Sequence, residues 1–243
     1  MSVESDQMIN HLMYRFYQLT WQGLDWVYPP RCGGCGQKGS RWCKNCRSSV
    51  HTMPKIICEK CGLPVYRRAI CQRCLEYPPR YNALRSWAIF DGPVRNALHR
   101  LKYHRDIALG DTLATQLMSI LANLQWDFDC VVPVPLGEAR LKERGYNQSK
   151  LLAWPIAMRW KKPMEMGVIR RVRETRTQVG LKYEQRQANV TGAFMADKFL
   201  VKGCTVLVID DVATSGATVD ACASALLDAG AKGVYCLTLA RAI

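Results

Sequence analysis

The stretch VLVIDDVATSGAT, residues 206–218, decides the fold that the sequence predicts. Val206–Ile209 is uncharged and mostly β-branched, which is typical of a strand buried on both faces of a parallel sheet. Asp210 and Asp211 come where this strand is predicted to end, and open α/β sheets bind their ligands at that edge. The small residues that follow predict a tight turn into a helix.

The turn and the carboxylates suit different parts of one ligand. Backbone N–H groups, hydroxyls and a helix N-terminus favour an anion, and the turn offers them at Thr214, Ser215, Gly216, Ala217 and Thr218. Carboxylates suit sugar hydroxyls or a divalent cation instead. The segment therefore predicts a pocket for a phosphorylated sugar. An ordinary strand, turn and helix is the alternative, but two adjacent carboxylates at a buried strand end are costly without a role.

This segment resembles the loop with which type I phosphoribosyltransferases bind phosphoribosyl pyrophosphate (PRPP). It departs from that pattern at Ala213, where a larger aliphatic residue is usual. The difference is expected to change packing beneath the loop more than ligand contacts.

Length and charge limit the remaining possibilities. The chain has 243 residues and a formal net charge of +14, enough for one α/β domain and a smaller module. Residues 140–186 hold 13 basic and 4 acidic side chains. This concentration favours a polyphosphate or nucleic-acid partner. No apolar stretch approaches the roughly 20 residues of a membrane span. The acidic N-terminus is unlike a secretory signal, so we expect a cytoplasmic protein.

Eight cysteines form four CxxC pairs between residues 32 and 74, and in a reducing compartment such pairs favour metal over disulfides. Two pairs complete a tetrahedral zinc site. We expect two structural Zn²⁺ ions with sequential pairing, although an interleaved arrangement stays open. The predicted ligands are Cys32, Cys35, Cys43 and Cys46 for one ion and Cys58, Cys61, Cys71 and Cys74 for the other.

The zinc module is expected either to replace a core too small to fold alone or, in addition, to present a binding surface. Basic residues stud the module beside Trp42 and Tyr66, a combination that suits single-stranded nucleic acid.

Proline pairs mark the expected boundaries of three regions. Residues 1–29 predict an amphipathic helix and extension, residues 30–80 a double zinc ribbon, and residues 81–243 a domain of alternating strands and helices. The alternation predicts a mainly parallel sheet flanked by helices. Within it, a helix is expected from about residue 146 to 160, with a kink or interruption at Pro155.

Two basic segments are candidates for the remainder of the site. Arg140 and Arg144 follow a buried strand and suit bidentate phosphate binding, although a solvated basic helix start would look similar. Residues 171–194 are polar and basic, and a long loop of this kind is usually functional or disordered. As a flap, it would bring Lys182 and Arg186 over a pyrophosphate leaving group.

Taken in order, the four CxxC pairs, the PVP…RGYNQ segment, the T-x-x-Q-x-G-L…R-x-x-N stretch and IDDVATSGAT resemble the ComF family from about Pro30 to Ile243. The resemblance implies a zinc ribbon on a type I phosphoribosyltransferase fold. It also implies that Asp210 and Asp211 contact ribose hydroxyls and Mg²⁺, that Thr214–Thr218 hold the 5′-phosphate, and that Arg140, Arg144 and Asn147 line the pyrophosphate side. It further implies a role in natural transformation and DNA use, in the cytoplasm beside a helicase-like partner.

Three functions remain open from the sequence. The first is Mg²⁺-dependent transfer of phosphoribose from PRPP to an acceptor that no segment identifies. The second is a module that binds single-stranded DNA, with the phosphosugar site serving regulation. The third is an adaptor with a vestigial site, which the intact carboxylate pair and hydroxyl loop disfavour.

Overall fold

A four-stranded parallel sheet forms the centre of the fold. The computed structural model describes residues 29–67, 69–173 and 192–243, so the predicted N-terminal helix lies outside the described residues. The strands are β1 (Ala83–Ile89), β2 (Cys130–Pro133), β3 (Ile169–Arg171), β4 (Phe194–Ala196), β5 (Thr205–Ala213) and β6 (Gly233–Arg241). The parallel sheet has the order β1-β6-β5-β2, and β3 and β4 form a separate antiparallel pair.

The helices alternate with these strands after two short helices in the zinc-ribbon region. They are α1 (Lys44–Ser48), α2 (Gln72–Glu76), α3 (Gly92–Tyr103), α4 (Leu109–Leu124), α5 (Glu138–Arg144), α6 (Gln148–Trp160), α7 (Lys198–Val201) and α8 (Ala217–Asp228). None of the helices within the described ranges combines the length and apolar character needed to cross a bilayer.

Successive side chains of the buried strands pack alternately into two hydrophobic clusters, one on each face of the sheet. Leu207 and Ile209 pack with α3, α4 and α6, whereas Val206 and Val208 pack with α8 and the β3–β4 pair. Burial on both faces explains why these strands read as continuous apolar runs. The prediction of a mainly parallel sheet flanked by helices is confirmed.

One expectation about an element boundary was wrong. The predicted strand was to end at Ile209, but β5 continues to Ala213 because β6 extends beside it and pairs with Val212 and Ala213. The helix expected from about residue 146 to 160 is confirmed as Gln148–Trp160, and of the two effects expected at Pro155, an interruption is not found. The buried face of α6 is packed in the core, and this packing holds the helix despite the missing N–H of the proline.

The first zinc ribbon, residues 32–46, packs directly on α3 and α4. Cys32, Trp42 and Cys46 belong to the same hydrophobic cluster as Leu109, and the Asn96 amide donates to the Gly34 carbonyl at 2.8 Å. This ribbon therefore shares its core with the α/β region. The boundary near residue 80 stays a prediction.

The second zinc ribbon, residues 58–74, packs at the edge of the sheet. The Leu84 N–H of β1 donates to the Lys60 carbonyl at 2.8 Å, and Thr52, in the chain between the ribbons, forms an antiparallel bridge to Ala88. The free edge of β1 is thereby covered, which protects it from pairing with another chain.

Candidate functional site

One open cavity of about 660 Å³ lies at the carboxyl ends of the parallel strands. This is the position at which open α/β sheets bind ligands, and the volume is that of an ordinary small-molecule site. Its lining includes eight sequence-predicted residues, namely Arg140, Arg144, Asp210, Asp211, Thr214, Gly216, Ala217 and Thr218. The structure thus brings together residues from two separate segments of the chain, α5 and the stretch from β5 into α8.

Asp210 lies within β5 at one wall of the cavity and is only 7% exposed. Its Oδ1 accepts hydrogen bonds from the Ser149 hydroxyl at 2.8 Å and from the Asp211 N–H at 2.9 Å. Burial, together with the neighbouring charge of Asp211, raises the pKa of Asp210 to about 7. The carboxyl group is therefore able to exchange a proton near neutral pH.

Asp211 is its ionised neighbour, held by a cation. It is 4% exposed, and the Lys102 ammonium at the end of α3 pairs with its Oδ2. Burial disfavours the charge, but the attraction of Lys102 outweighs it and lowers the pKa of Asp211. The two adjacent acids thus differ in protonation, as is common in functional sites.

The turn from β5 into α8 lines the same cavity. Gly216 has a φ of 86°, a left-handed conformation that glycine adopts without strain, and the Ala217 N–H donates to the Ser215 hydroxyl at 3.3 Å. The first N–H groups of a helix have no partners within the helix, so the N-terminus of α8 favours an anion. Ser215 faces a small crevice beside the second ribbon rather than the large cavity.

Basic side chains from α5 complete the cavity. The Arg144 guanidinium lies 5.0 Å from the centre of the Tyr103 ring and donates to the Gln148 side-chain oxygen at 3.0 Å. These contacts fix its plane, which favours bidentate phosphate binding. Arg140 lines the same cavity, so positive charge from α5 and the loop border one space.

Asn147 has a different position from the predicted one. Its amide nitrogen donates to the Val134 carbonyl at 2.9 Å and its oxygen accepts from the Ser149 N–H at 2.9 Å. It therefore caps α6 and fixes the chain that carries Ser149, and it is not among the cavity-lining residues. Lys182 and Arg186 lie outside the described residues.

Sequence reasoning gave no site role to Lys102, Gln148, Ser149 and Arg171, all of which line the cavity. Lys102 was visible only as one member of a basic cluster at a helix end. Gln148 and Ser149 directly follow Asn147, so the helix start that they form was the available signal. Arg171 lies in β3, which has three residues, too few to show the alternation of apolar and polar side chains that predicts a strand.

The eight predicted cysteines form two separate four-sulfur clusters with sequential pairing, as expected. The ligand atoms of each cluster lie within 4.8 Å of one another, and the Sγ atoms of Cys35 and Cys43 and of Cys61 and Cys71 are each 3.7 Å apart. A tetrahedron with Zn–S bonds of about 2.3 Å has edges of roughly 3.8 Å, so the donor set and its size fit zinc. The clusters are two structural zinc centres.

The two centres share one local design. The Cys43 N–H donates to the Cys32 sulfur at 3.4 Å, and the Cys71 N–H donates to the Cys58 sulfur at 3.3 Å. Such N–H···S bonds stabilise thiolates and set the orientation of the metal ligands.

Comparison with known proteins agrees with both parts of this architecture. The family of double zinc ribbon domains matches residues 23–75, and the family of phosphoribosyl transferase domains matches residues 152–243. The fold is accordingly that of a type I phosphoribosyltransferase with an N-terminal double zinc ribbon.

Several relatives match this chain over nearly their whole length. The DNA utilization protein YhgH of Escherichia coli K12 is 31% identical over 233 residues, which are 93% of this chain and 100% of the relative. Competence protein F of Haemophilus influenzae is 27% identical over 82% of this chain and 90% of its own. Competence protein ComFC of Bacillus subtilis is 27% identical over 92% of this chain and 90% of its own. The identity to the first of these, over its whole length, shows that the chain belongs to the ComF/YhgH family.

Proposed function

We propose that this protein binds PRPP or a related phosphoribosyl ligand with Mg²⁺ and acts in DNA utilisation during natural transformation. One observation carries the ligand: the carboxylates of Asp210 and Asp211 and the loop that begins α8 line the same cavity. Its relatives are named DNA utilization and competence proteins, and these names support the process.

The acidic, small and basic residues that line the cavity suit different parts of a phosphoribosyl ligand. Asp210 and Asp211 accept hydrogen bonds from the ribose hydroxyls, while Thr214, Gly216, Ala217 and Thr218 at the N-terminus of α8 bind the 5′-phosphate. Arg140 and Arg144 face the pyrophosphate from α5. A phosphorylated ribose with a second anionic group therefore matches the distribution of charge better than a neutral sugar does.

The carboxylate pair also fits magnesium. Mg²⁺ is usually held by one or two carboxylates together with substrate phosphates, and Asp210 and Asp211 supply two such groups at the cavity wall. When bound, the ion would neutralise pyrophosphate charge. Lys102 already compensates Asp211, so the cation and the ligand together must compete with this ion pair.

Transfer of phosphoribose needs no protein nucleophile. Stabilising the departing pyrophosphate and an oxocarbenium-like sugar is sufficient, and the cationic wall of Arg140 and Arg144 is placed for the first task. Lys182 and Arg186 are proposed to close over the pyrophosphate from the flap. The acceptor is not identified by any described side chain, so turnover is the part of the proposal that most needs a direct assay.

A second candidate function is binding of single-stranded DNA by the ribbons. Tyr66 and Tyr77 are exposed on the second ribbon and its exit, at 106% and 55%, and Arg67 lies beside Tyr66. Exposed aromatics beside cations suit stacked bases and their phosphates. In this case the phosphosugar site regulates the DNA-binding module. A cytoplasmic location and a helicase-like partner belong to the same proposal.

The ligand is tested by isothermal titration of PRPP with and without Mg²⁺. The double variant Asp210→Asn/Asp211→Asn is expected to lose PRPP binding, whereas Asp127→Asn, an exposed acid outside the cavity, is expected to bind as the wild type does. Undiminished binding by the double variant would overturn the site assignment. Release of pyrophosphate upon addition of candidate bases, amines or DNA tests turnover.

The two functions are separated with a labelled oligonucleotide. If the double variant loses PRPP affinity but retains DNA affinity and transformation, the DNA-binding function gains. The DNA affinity is expected to fall steeply with salt, because phosphate contacts release counterions. Replacing Tyr66 with Ala tests the stacking surface and should leave PRPP affinity unchanged.

A further inference from the structure

Arg241, at the end of β6, carries a fully buried charge with an unusual environment. Its relative exposure is 0%, and among the described residues none of its three side-chain nitrogens has a hydrogen-bond partner. An unpaired guanidinium at this depth is strongly unfavourable unless a negative charge lies nearby. Neither Asp210 nor Asp211 is paired with it, since their partners are Ser149 and Lys102.

The guanidinium lies directly beneath the anion-binding loop. A methyl group placed on Gly216 would be 3.6 Å from one Nη atom of Arg241 and 3.4 Å from the Tyr81 hydroxyl oxygen. Arg241 also pairs in the sheet with Ala213, the last residue of β5 before the loop. Its backbone and its side chain thus both contact the base of the loop.

The second zinc ribbon lies on the other side of this contact. A small crevice is lined jointly by Cys74 and Arg73 of the ribbon, by Tyr81, and by Ser215 and Gly216 of the loop. Burial lowers the pKa of Arg241 and the positive charge of Arg73 adds to this effect, whereas Tyr81, Cys61 and Cys74 oppose it. Burial also raises the pKa of Tyr81, so its hydroxyl is neutral, and the negative charge near Arg241 comes from the zinc ligands Cys61 and Cys74. Four thiolates and one Zn²⁺ carry a net charge of −2, which is the compensation that the buried guanidinium needs.

The two ribbons differ in this respect. Thiolates of the second ribbon act on Arg241 and also on Arg85, whose guanidinium donates to the Glu59 carbonyl at 3.0 Å. The first ribbon is embedded by apolar packing of Cys32 and Cys46 instead. The second zinc centre is therefore the one whose thiolate charge acts on buried guanidinium groups.

We propose that Arg241 is a positioning residue that couples the second zinc centre to the anion-binding loop: the zinc–thiolate charge holds the guanidinium in place, and the guanidinium supports the loop from below. The inference rests on the proposed binding of a phosphoribosyl ligand. It adds a structural zinc ion to the determinants of that site, without any contact between zinc and ligand. The buried positive charge stabilises a phosphate bound at the loop. The charge of that phosphate in turn changes the electrostatic potential at the zinc ligands.

The coupling has a spectroscopic test that does not depend on turnover. The protein is loaded with ¹¹³Cd at both sites, and the two resonances are assigned with Cys35→His, which alters the first site but retains a metal-binding ligand. Saturating ribose 5-phosphate or PRPP is expected to shift the resonance of the second ribbon and to leave that of the first unchanged. No shift in the wild type would overturn the coupling, whether or not any variant folds.

Variants of Arg241 provide the matching affinity test. Arg241→Met is expected to weaken ribose 5-phosphate binding about tenfold, because a charge within a few ångströms of the loop is lost in a medium of low dielectric constant. Arg241→Lys keeps the charge and is expected to retain most of the affinity. Arg85→Met is the matched control, since it removes a guanidinium beside the same ribbon that is not among the residues at the loop.

The outcomes distinguish this inference from the proposed function. If the wild type binds neither PRPP nor ribose 5-phosphate, the proposed function fails and the inference falls with it. If the wild type binds and Arg241→Met binds equally well, only the coupling is overturned. A loss of affinity in Arg241→Met with recovery in Arg241→Lys, and none in Arg85→Met, supports it.

Discussion

Lys102 and Asp211 form an ion pair on the wall of the cavity, between the end of α3 and the middle of β5. The lysine side chain is about one-fifth exposed, at 22%, whereas the carboxylate is almost fully buried at 6%. The carboxylate therefore depends on this cation for its charge. The contact also ties the helix that supports the first ribbon to the strand that carries the candidate site.

Removal of the cation is expected to destabilise the folded protein. Lys102→Met leaves Asp211 buried without its cation, so the free energy of unfolding at pH 7.5 should fall by about 2 kcal/mol. Urea denaturation followed by tryptophan fluorescence measures the change. Lys142→Met, an exposed lysine on α5, serves as the control and should have little effect.

The same pair is open to a double-mutant cycle. If the ion pair carries the effect, Lys102→Met in the Asp211→Asn background should cost much less than it does alone, because no buried charge is then left unpaired. Additive losses would show that Lys102 stabilises the fold through its aliphatic chain instead.

Asp210 gives a prediction for the pH dependence of stability. Its folded pKa of about 7 lies above the ordinary value of an aspartate, 3.8, so its contribution to stability is fully present below about pH 4 and is lost as the pH rises through 7. Asp210→Asn cannot ionise and lacks this loss. The stability of the variant relative to wild type should therefore increase from pH 5 to pH 8, by on the order of 2 kcal/mol.

Urea denaturation of both proteins at several pH values measures that difference, in which titrations common to both cancel. Asp127→Asn should show no comparable trend, because its carboxyl is exposed. A relative stability that decreases with pH would mean that the ionised form of Asp210 is the favoured one in the fold.

Zinc removal is expected to affect more than the ribbons. Metal analysis should find two zinc ions per chain, one for each four-cysteine cluster. Because Trp42 of the first ribbon contacts Trp87 of β1, with ring centroids 6.4 Å apart, a strong chelator should change tryptophan emission as well as metal content. Unchanged emission after complete removal of zinc would show that the ribbon core persists without its metal.

The elements that the sequence predicted are those whose pattern of apolar residues follows directly from which side chains are buried. Val206–Ile209 was expected as a buried strand and lies within β5, since its side chains pack alternately into the clusters on the two faces of the sheet. The zinc ligands could also be predicted from the sequence, because the CxxC spacing by itself places two sulfurs on one metal ion. Local patterns that directly determine contacts could be interpreted from the chain alone.

The remaining parts depended on tertiary partners. β5 passes through Asp210 and Asp211 to Ala213 because β6 extends beside it, and nothing within residues 206–213 contains that information. The cation for Asp211 comes from α3, and the proposed compensation of the buried Arg241 comes from the second ribbon. No periodicity or fixed spacing in the sequence predicts such charge pairing between residues that are far apart along the chain.

The last prediction concerns the contact between the second ribbon and the sheet. Gly36 and Gly62 occupy equivalent positions after the second cysteine of a CxxC pair, and their N–H groups donate to the carbonyl oxygens of Cys32 and Cys58 at 2.8 and 3.0 Å. Both have left-handed φ values, of 79° and 69°. They differ in their surroundings: a methyl group on Gly62 would lie 2.5 Å from the Leu84 carbonyl oxygen, whereas one on Gly36 would meet nothing within 4 Å.

Alanine at these positions therefore separates backbone strain from close packing. Gly36→Ala should cost about 1 kcal/mol, from the left-handed conformation alone. Gly62→Ala should cost about 3 kcal/mol, because the clashing atom belongs to the backbone of β1 and is fixed by the bond from the Leu84 N–H to the Lys60 carbonyl. Thermal and urea denaturation of the zinc-loaded proteins measure both. Equal losses would mean that the ribbon is able to move away from β1 at little cost, and the second zinc centre would then be too loosely held to support Arg241 beneath the loop.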